Sequence, residues 1–401
     1  MFSLENFYPI VYKNLLEPIG AHCHYFKKFG SVSSADLISH GADGPFFERS
    51  IVFYDQEPLY SNDLTRVFIT DIPDRETNPR WNTHLLYRYY DCNTRYFNPN
   101  FYVLANSEHS QEKTNFLNDL KMYRDWYYFF HGFAALDWFK NVEYMPPNRK
   151  FTKIFICFNN LFTEKRSYRL NLIARLRAEG IADQGYISLG QHDTDQRIKR
   201  EVFSPNSLLS VASKKLIIHH VYQNTTGLRI DNDPYGAMSA CDDLDMLGQG
   251  LFHLVTETIF YDHKLHLTEK IFKPIVARRP FLLVGAPGNL AYLKSYGFRT
   301  FDQWIDESYD SEPDPDRRIQ MIVDEMKKLC QGDVDTIYAE MQEVLDYNFD
   351  WFYNGFKQTI VDEMVDNFRS CILAHNAGLP ADKKINYNSI NYQQVKSRLA
   401  R

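Results

Sequence analysis

A chain of 401 residues is too long for one small hydrophobic core, and its length predicts two or three domains. Apolar residues make up 44% and charged residues 24%, the balance of a globular protein with buried cores. The net charge of −6 counts against a chain whose main business is coating nucleic acid. The first residues lack a leader's basic and apolar regions, and no apolar run reaches the roughly 18 residues of a membrane span. Six scattered cysteines, without a CxxC pair, argue against zinc-ribbon and disulfide frameworks and for reduced thiols. A soluble, unexported, cytoplasmic chain is expected.

The first 50 residues mix an amphipathic start with Gly/Ser/Asp loops. Ser50-Ile51-Val52-Phe53-Tyr54 is the first predicted strand, and it runs into Asp55-Gln56-Glu57-Pro58. Pro58 holds Glu57 extended, just past a strand end, where open α/β sheets bind ligands. From 79 to 102 arginines alternate with aromatics, as in Arg80-Trp81, Tyr87-Arg88-Tyr89-Tyr90 and Arg95-Tyr96-Phe97. The plainer reading is an amphipathic core segment with solvated arginines. The sharper one is a surface where rings stack on sugars or bases and arginines meet phosphate. Strands are predicted at 101–105 and, as a third candidate, at 126–133. Met145-Pro146-Pro147-Asn148-Arg149-Lys150 is the best linker, dividing a domain at 1–147 from one at 148–330, with C-terminal helices and a tail at 331–401.

The second half opens on the apolar strand 152–158, followed by Asn159-Asn160, a short loop, and Lys165-Arg166-Ser167-Tyr168-Arg169. Leu172, Ile173 and Leu176 keep a helical period that Gly180 stops. Further strands are predicted at 215–218, 251–255 and 281–284. Strands alternating with helices indicate an α/β fold with a parallel, Rossmann-like sheet. Ile319, Ile322, Val323, Met326 and Leu329 mark one late helix, and Ile337, Met341, Val344 and Leu345 a second. From Asn376 the chain is polar and reads as a peripheral tail.

The stretch 251–285 concentrates chemistry. Thr268 can cap a helix, which puts Glu269 and Lys270 in its first turn. A carboxylate there can accept two hydrogen bonds from a vicinal diol such as a ribose, and a lysine beside free N–H groups can hold a diphosphate. The bland alternative is a cap with an acidic residue matched to the helix dipole, worth about 0.3–1 kcal/mol. That alternative leaves Lys270 unexplained. Glu257 ends the preceding strand, one polar loop away.

Other clusters are weaker. Asp193-Thr194-Asp195, Asp231-Asn232-Asp233 and Asp242-Asp243-Leu244-Asp245 resemble Asp-x-Asp metal motifs, which short matches reproduce by chance. His22-Cys23-His24 and His219-His220 lack metal-ligand spacing. No metal site is predicted, and GxGxxG, Walker A and GxSxG motifs are absent.

Phe252-His253-Leu254-Val255-Thr256-Glu257-Thr258, then Leu267-Thr268-Glu269-Lys270, then Arg279-Pro280-Phe281-Leu282-Leu283-Val284-Gly285 resembles the donor-site block of the inverting α-1,3-fucosyltransferase family. It is similar, more distantly, to exostosin-like glycosyltransferases. Phe155-Ile156-Cys157-Phe158-Asn159-Asn160 with Lys165-Arg166 is similar to the element that opens that family's C-terminal domain. Val52-Phe53-Tyr54-Asp55-Gln56-Glu57-Pro58 resembles its N-terminal strand, one residue short in the spacing to proline. The matches cover about a quarter of the chain, in the family's order. Departures are Pro274 inside the expected helix, Thr258 where the family commonly has Asn, and Arg278-Arg279 where small residues are usual.

The resemblance implies a GT-B architecture, two Rossmann-like domains facing across a cleft. It implies a metal-independent glycosyltransferase that moves a sugar from a nucleotide-diphosphate sugar to a glycan or other hydroxyl acceptor with inversion. GDP-fucose heads the donors, as co-substrate and not as a resident cofactor. Glu57 would be the general base. Glu269 would hold ribose hydroxyls, and Lys270 and Arg166 the diphosphate, with Arg169 a rival for that part. Asn160, Glu257 and Thr268 complete the expected donor side. Two alternatives stay open: a nucleic-acid-modifying glycosyltransferase that grips DNA through the strip at 80–102, and a non-catalytic glycan- or nucleotide-binding protein on the same scaffold.

Overall fold

The computed structural model describes residues 7, 10–27, 36–40, 49–54, 101–107, 109, 111, 123–144, 150–189, 194–222, 247–261 and 263–400. The chain divides into two compact units, Met1–Asp137 with Lys357–Arg401, and Trp138–Phe356. Glu57, most of the Arg/aromatic strip, the linker at 145–149, Asp193 and the Asp-rich motifs at 231–233 and 242–245 lie outside the described residues.

The first unit carries β1 (His22–Lys27), β2 (Asp36–His40), β3 (Arg49–Tyr54), β4 (Phe101–Asn106) and β5 (Tyr123–Tyr127), followed by α1 (Phe130–Trp138). Its sheet runs β2-β1-β3-β4-β5. Only β2 is antiparallel to its neighbour. The strands at 50–54 and 101–105 are where the sequence puts them. The candidate at 126–133 is not one strand, because β5 ends at Tyr127 and α1 begins at Phe130. Residues 126–136 are all buried, and a continuous apolar run carries no period to separate strand from buried helix.

In the second unit β6 (Lys153–Asn159), α2 (Tyr168–Ala178), β7 (Gly185–Leu189), α3 (Thr194–Phe203), α4 (Val211–Ile217), β8 (Gly250–Thr256), α5 (Phe272–Val276) and β9 (Phe281–Val284) alternate. They build a wholly parallel sheet of order β7-β6-β8-β9. Every residue of β8 is buried, which accounts for its unbroken apolar run. Gly180 takes φ of 72° just after α2, the left-handed position that glycine tolerates at a helix end. The predicted strand at 215–218 is instead α4 and the turn after it. Ser210 caps that helix by accepting from the Ser213 N–H at 3.0 Å, and a four-residue apolar run gives no period to choose between forms.

After β9 come α6 (Asn289–Ser295), α7 (Pro315–Gln331), α8 (Val334–Glu340) and α9 (Gln342–Trp351). Pro274 sits in the first turn of the short α5, behind a 3-10 turn at Glu269–Ile271, where a missing N–H is tolerated. The paired arginines before β9 are structural. Arg278 has φ of 50°, lies 3.6 Å over the Phe349 ring and pairs with Asp346 at 3.5 Å. Arg279 is fully buried and donates to the carbonyls of Gly248 (2.6 Å) and Lys150 (3.2 Å) and to the Tyr338 hydroxyl (3.0 Å).

The chain then returns to the first unit through α10 (Lys357–Asn376) and α11 (Tyr392–Ala400). Trp126 Nε1 donates to the Met364 carbonyl at 2.8 Å, and Asn367 donates to that of Tyr127 at 3.0 Å. Lys396 on α11 pairs with Asp362 and Asp366 on α10 at 3.1 and 3.0 Å, over buried Val395 and Leu399. The segment 331–401 is therefore shared between the units, and the stretch after Asn376 packs rather than trails. No helix among the described residues is long and apolar enough to cross a membrane.

His253, in the middle of β8, turns Nε2 to the Leu247 carbonyl at 2.9 Å, so that nitrogen carries the proton. Burial pushes its pKa down from the usual 6.5 to about 3. The unfolded imidazole takes up a proton below about pH 6.5, while the folded one stays neutral. Stability is thus complete above that pH and falls on acidification, by about 1.4 kcal/mol per pH unit from this group. Urea titrations from pH 6.5 to 4.5 are expected to lose stability more steeply in the wild type than in His253→Leu; equal slopes would contradict the assignment.

Candidate functional site

From β6 the chain passes to β7 on one side, then crosses to β8 on the other. At such a switch point the loops leaving two neighbouring parallel strands turn apart and open a crevice at the strands' carboxyl ends. Here the loops are 160–167 after β6 and 257–268 after β8. They carry Asn160 and Arg166 on one wall and Glu257 and Thr268 on the other, with Glu269 and Lys270 immediately beyond.

The floor is a hydrogen-bonded clamp. Thr256 Oγ1 donates to Asn159 Oδ1 at 2.9 Å and joins the ends of β8 and β6. Arg169, 3% exposed, donates to the carbonyls of Leu161 (2.6 Å), Thr256 (2.8 Å) and Glu257 (3.1 Å). The Tyr168 hydroxyl donates to the Glu257 carbonyl at 2.5 Å, and its ring stacks on Phe260 at 4.2 Å. Burial raises the Tyr168 phenol pKa above its ordinary value, against the pull of Arg169. Arg318, from α7, covers the other face of the loop, 4.2 Å from the Phe260 ring, and donates to the Phe260 carbonyl at 2.6 Å. Desolvation lowers its pKa to about 10. Tyr261 meets Ser167 at 3.1 Å and closes the loop back on the start of α2.

Glu257 is fully buried, and its carboxylate accepts from the Thr268 N–H (3.1 Å), the Thr268 hydroxyl (2.5 Å) and the Thr258 N–H (3.3 Å). It ties both ends of the 257–268 loop together. Thr268 in turn caps the 3-10 turn by accepting from the Lys270 N–H at 3.4 Å, and its oxygen also receives Lys270 Nζ at 3.0 Å. Lys270 pairs with Glu269 at 3.0 Å, with the lysine side chain 27% exposed and the glutamate 5%. Asn289, after β9, accepts from the His266 N–H at 2.8 Å and donates to the Lys264 carbonyl, which anchors the far part of the loop.

The expected donor-side residues thus fall into two groups. Arg169, Glu257 and Thr268 are buried and hold the crevice together, and Glu269 is buried against Lys270. Asn160 is exposed, and Arg166 and Lys270 are half-buried. The Arg166 guanidinium has no hydrogen bond or ion pair among the described residues. It sits in the turn Glu164–Arg166, which opens on Glu164 at φ of 55°, a left-handed geometry uncommon for a side-chain-bearing residue. Two cations from the loops of neighbouring strands suit an anionic ligand, Lys270 sharing its charge with Glu269 and Arg166 having no such partner among the described residues. Among the described residues no group of three His, Cys, Asp or Glu could hold a metal ion. Sequence reasoning missed Asn159, Tyr168, Tyr261, Asn289 and Arg318. Asn159 had a signal, since it follows an apolar strand; the others act through distant partners.

A polar surface pocket of about 480 Å³ elsewhere in this unit, between Lys294, Arg299, Trp304 and Glu340, includes none of the expected residues.

The division between the arginines is measurable. Arg169→Ala removes the guanidinium from three carbonyls, of which that of Glu257 keeps the Tyr168 hydroxyl, and is expected to cost about 3 kcal/mol of unfolding free energy. Arg166→Ala should change it by less than about 0.5 kcal/mol. Equal losses in urea denaturation would contradict these roles.

No family model, no curated protein and no solved structure matches this chain.

Proposed function

We propose that the chain is an inverting glycosyltransferase of GT-B type, using a nucleotide-diphosphate sugar whose diphosphate lies against the second unit. The observation that carries the reading is the pair of cations, Arg166 and Lys270, on the two loops that flank the β6/β8 switch point. A mostly parallel sheet in one compact unit and a wholly parallel sheet in the other support the architecture, and the fucosyltransferase-like motifs supply the choice of chemistry.

In this mechanism Lys270 and Arg166 bind the diphosphate and Glu269 accepts from ribose hydroxyls, exchanging part of its contact with Lys270 for them. An acceptor hydroxyl attacks the anomeric carbon opposite the leaving group. The new C–O bond forms as the bond to the diphosphate breaks, through an oxocarbenium-like state. Glu57 takes the hydroxyl proton as general base. The negative charge developing on the nucleoside diphosphate is met by the two cations, a contribution of a few kcal/mol per well-placed donor. Glu257, Thr268 and Arg169 keep the cation-bearing loops in place. GDP-fucose is the first donor to try, on resemblance alone.

A panel of nucleotide-sugars, read as released nucleoside diphosphate, tests the reading. Turnover of one donor is expected, and it should survive EDTA. Arg166→Ala and Lys270→Ala should each weaken nucleoside-diphosphate binding by about 10- to 100-fold. Glu57→Gln should bind donor as the wild type does and lose transfer. Binding without turnover across the panel would point to a non-catalytic binding protein. Wild-type affinity in both cation variants would remove the site.

A further inference from the structure

Among the described residues the large apolar side chains left exposed are Leu161, Phe203, Leu208, Val211 and Leu373. Phe203 (63% exposed), Leu208 (49%) and Val211 (72%) all stand on the turn that joins α3 to α4. The turn is braced. Lys214 Nζ donates to the Ser204 carbonyl at 3.2 Å, Ser210 caps α4, and the Leu209 N–H donates to Ser207 Oγ at 3.3 Å while its side chain is buried. The three apolar groups are therefore held outward by a fixed scaffold.

Their neighbours are cations. Lys199 and Arg200 precede Phe203 by four and three residues on α3, and Lys214 and Lys215 follow Val211 by three and four on α4. Residues three and four apart share a helix face, so Phe203 and Val211 each have two cations one turn away. The stretch 194–217 carries five cations, Arg197, Lys199, Arg200, Lys214 and Lys215, against the carboxylates of Asp195, of Glu201, which is buried, and of Asp316, which accepts from the Ser210 and Ser213 hydroxyls. This excess stands in a chain of net charge −6. Lys199, Arg200 and Lys215 are exposed and make no ion pair among the described residues.

We propose that this turn docks the protein on a bilayer surface bearing anionic headgroups, with Phe203, Leu208 and Val211 entering the headgroup–acyl boundary and the flanking cations meeting lipid phosphates. The chemistry favours lipid over a protein partner. Protein interfaces are depleted in lysine at their centres, whereas an anionic lipid surface attracts lysines and arginines and accepts protruding apolar groups between its headgroups. The proposal stands independently of the glycosyltransferase reading, since it uses none of the crevice residues.

Sedimentation of the full chain with extruded vesicles tests it. Binding is expected to vesicles of phosphatidylcholine containing phosphatidylserine, and to fall with added salt and with phosphatidylcholine alone. Phe203→Ser/Val211→Ser and, separately, K199Q/R200Q/K215Q should each weaken the partition by about tenfold or more. Both variants change exposed side chains, so their thermal unfolding should match the wild type, which separates lost docking from lost folding. Absence of binding to either vesicle, equal binding to both, or wild-type binding by the variants would overturn the proposal. So would a wild-type dimer in size-exclusion chromatography that Phe203→Ser/Val211→Ser dissolves while vesicle binding persists.

Discussion

Arg169 lies almost wholly out of solvent, with its guanidinium against main-chain carbonyls of Leu161, Thr256 and Glu257. Where parallel strands end, carbonyl oxygens leave the ladder, and the buried ones must find donors elsewhere. A guanidinium offers several donors in one plane and can serve two loops at once. Without it, the loop after β6 and the end of β8 would keep the Thr256–Asn159 bond, the Tyr168 hydroxyl and the Ser167–Tyr261 contact. The same device recurs in this unit, with Arg279 donating to Gly248 and Lys150 and Arg318 to Phe260. In each case the desolvated charge is met chiefly by backbone dipoles, joined at Arg279 by the Tyr338 hydroxyl, with no carboxylate in direct contact among the described residues.

That constraint divides the polar residues of the crevice. Burying a carboxylate is tolerable when hydrogen bonds meet its charge, and Glu257 has two N–H donors and a hydroxyl. Its charge is accordingly engaged within the fold. Arg166 is left with no such internal duty among the described residues, and Lys270 keeps surface beside Glu269. A hydrogen-bonded floor below Arg166 and the partly exposed Lys270 is a preorganised arrangement, in which little of an anion's binding free energy goes to ordering the protein.

Much of this was legible in the sequence. Long apolar runs at 152–158, 251–255 and 281–284 gave the strands, because parallel sheets buried on both faces produce continuous hydrophobic stretches. The helical period at 172–176 and the stop at Gly180 were equally clear. Thr268 read as a cap, and it is one. The sequence could not separate Arg166 from Arg169, since three residues on a short turn and helix start decide which guanidinium points into the fold. Glu257 read as a ligand-facing carboxylate, yet its partner Thr268 is eleven residues away and the bond depends on how the loop closes. The run at 215–218 carried too few residues to show a period, and Ser210 decides it as a cap. Strands β1, β2 and β7 are short and mixed in polarity, so their pairing comes from neighbours in the sheet.

The central claim is that the loops on either side of the β6/β8 switch point bind a nucleoside diphosphate. Hydrogen–deuterium exchange of the full chain, with and without each common nucleoside diphosphate, measures this directly. The account predicts that one of them slows exchange in peptides covering 160–167 and 257–271 together. Protection confined to other segments, or no protection by any of these nucleotides at saturating concentration, would contradict it.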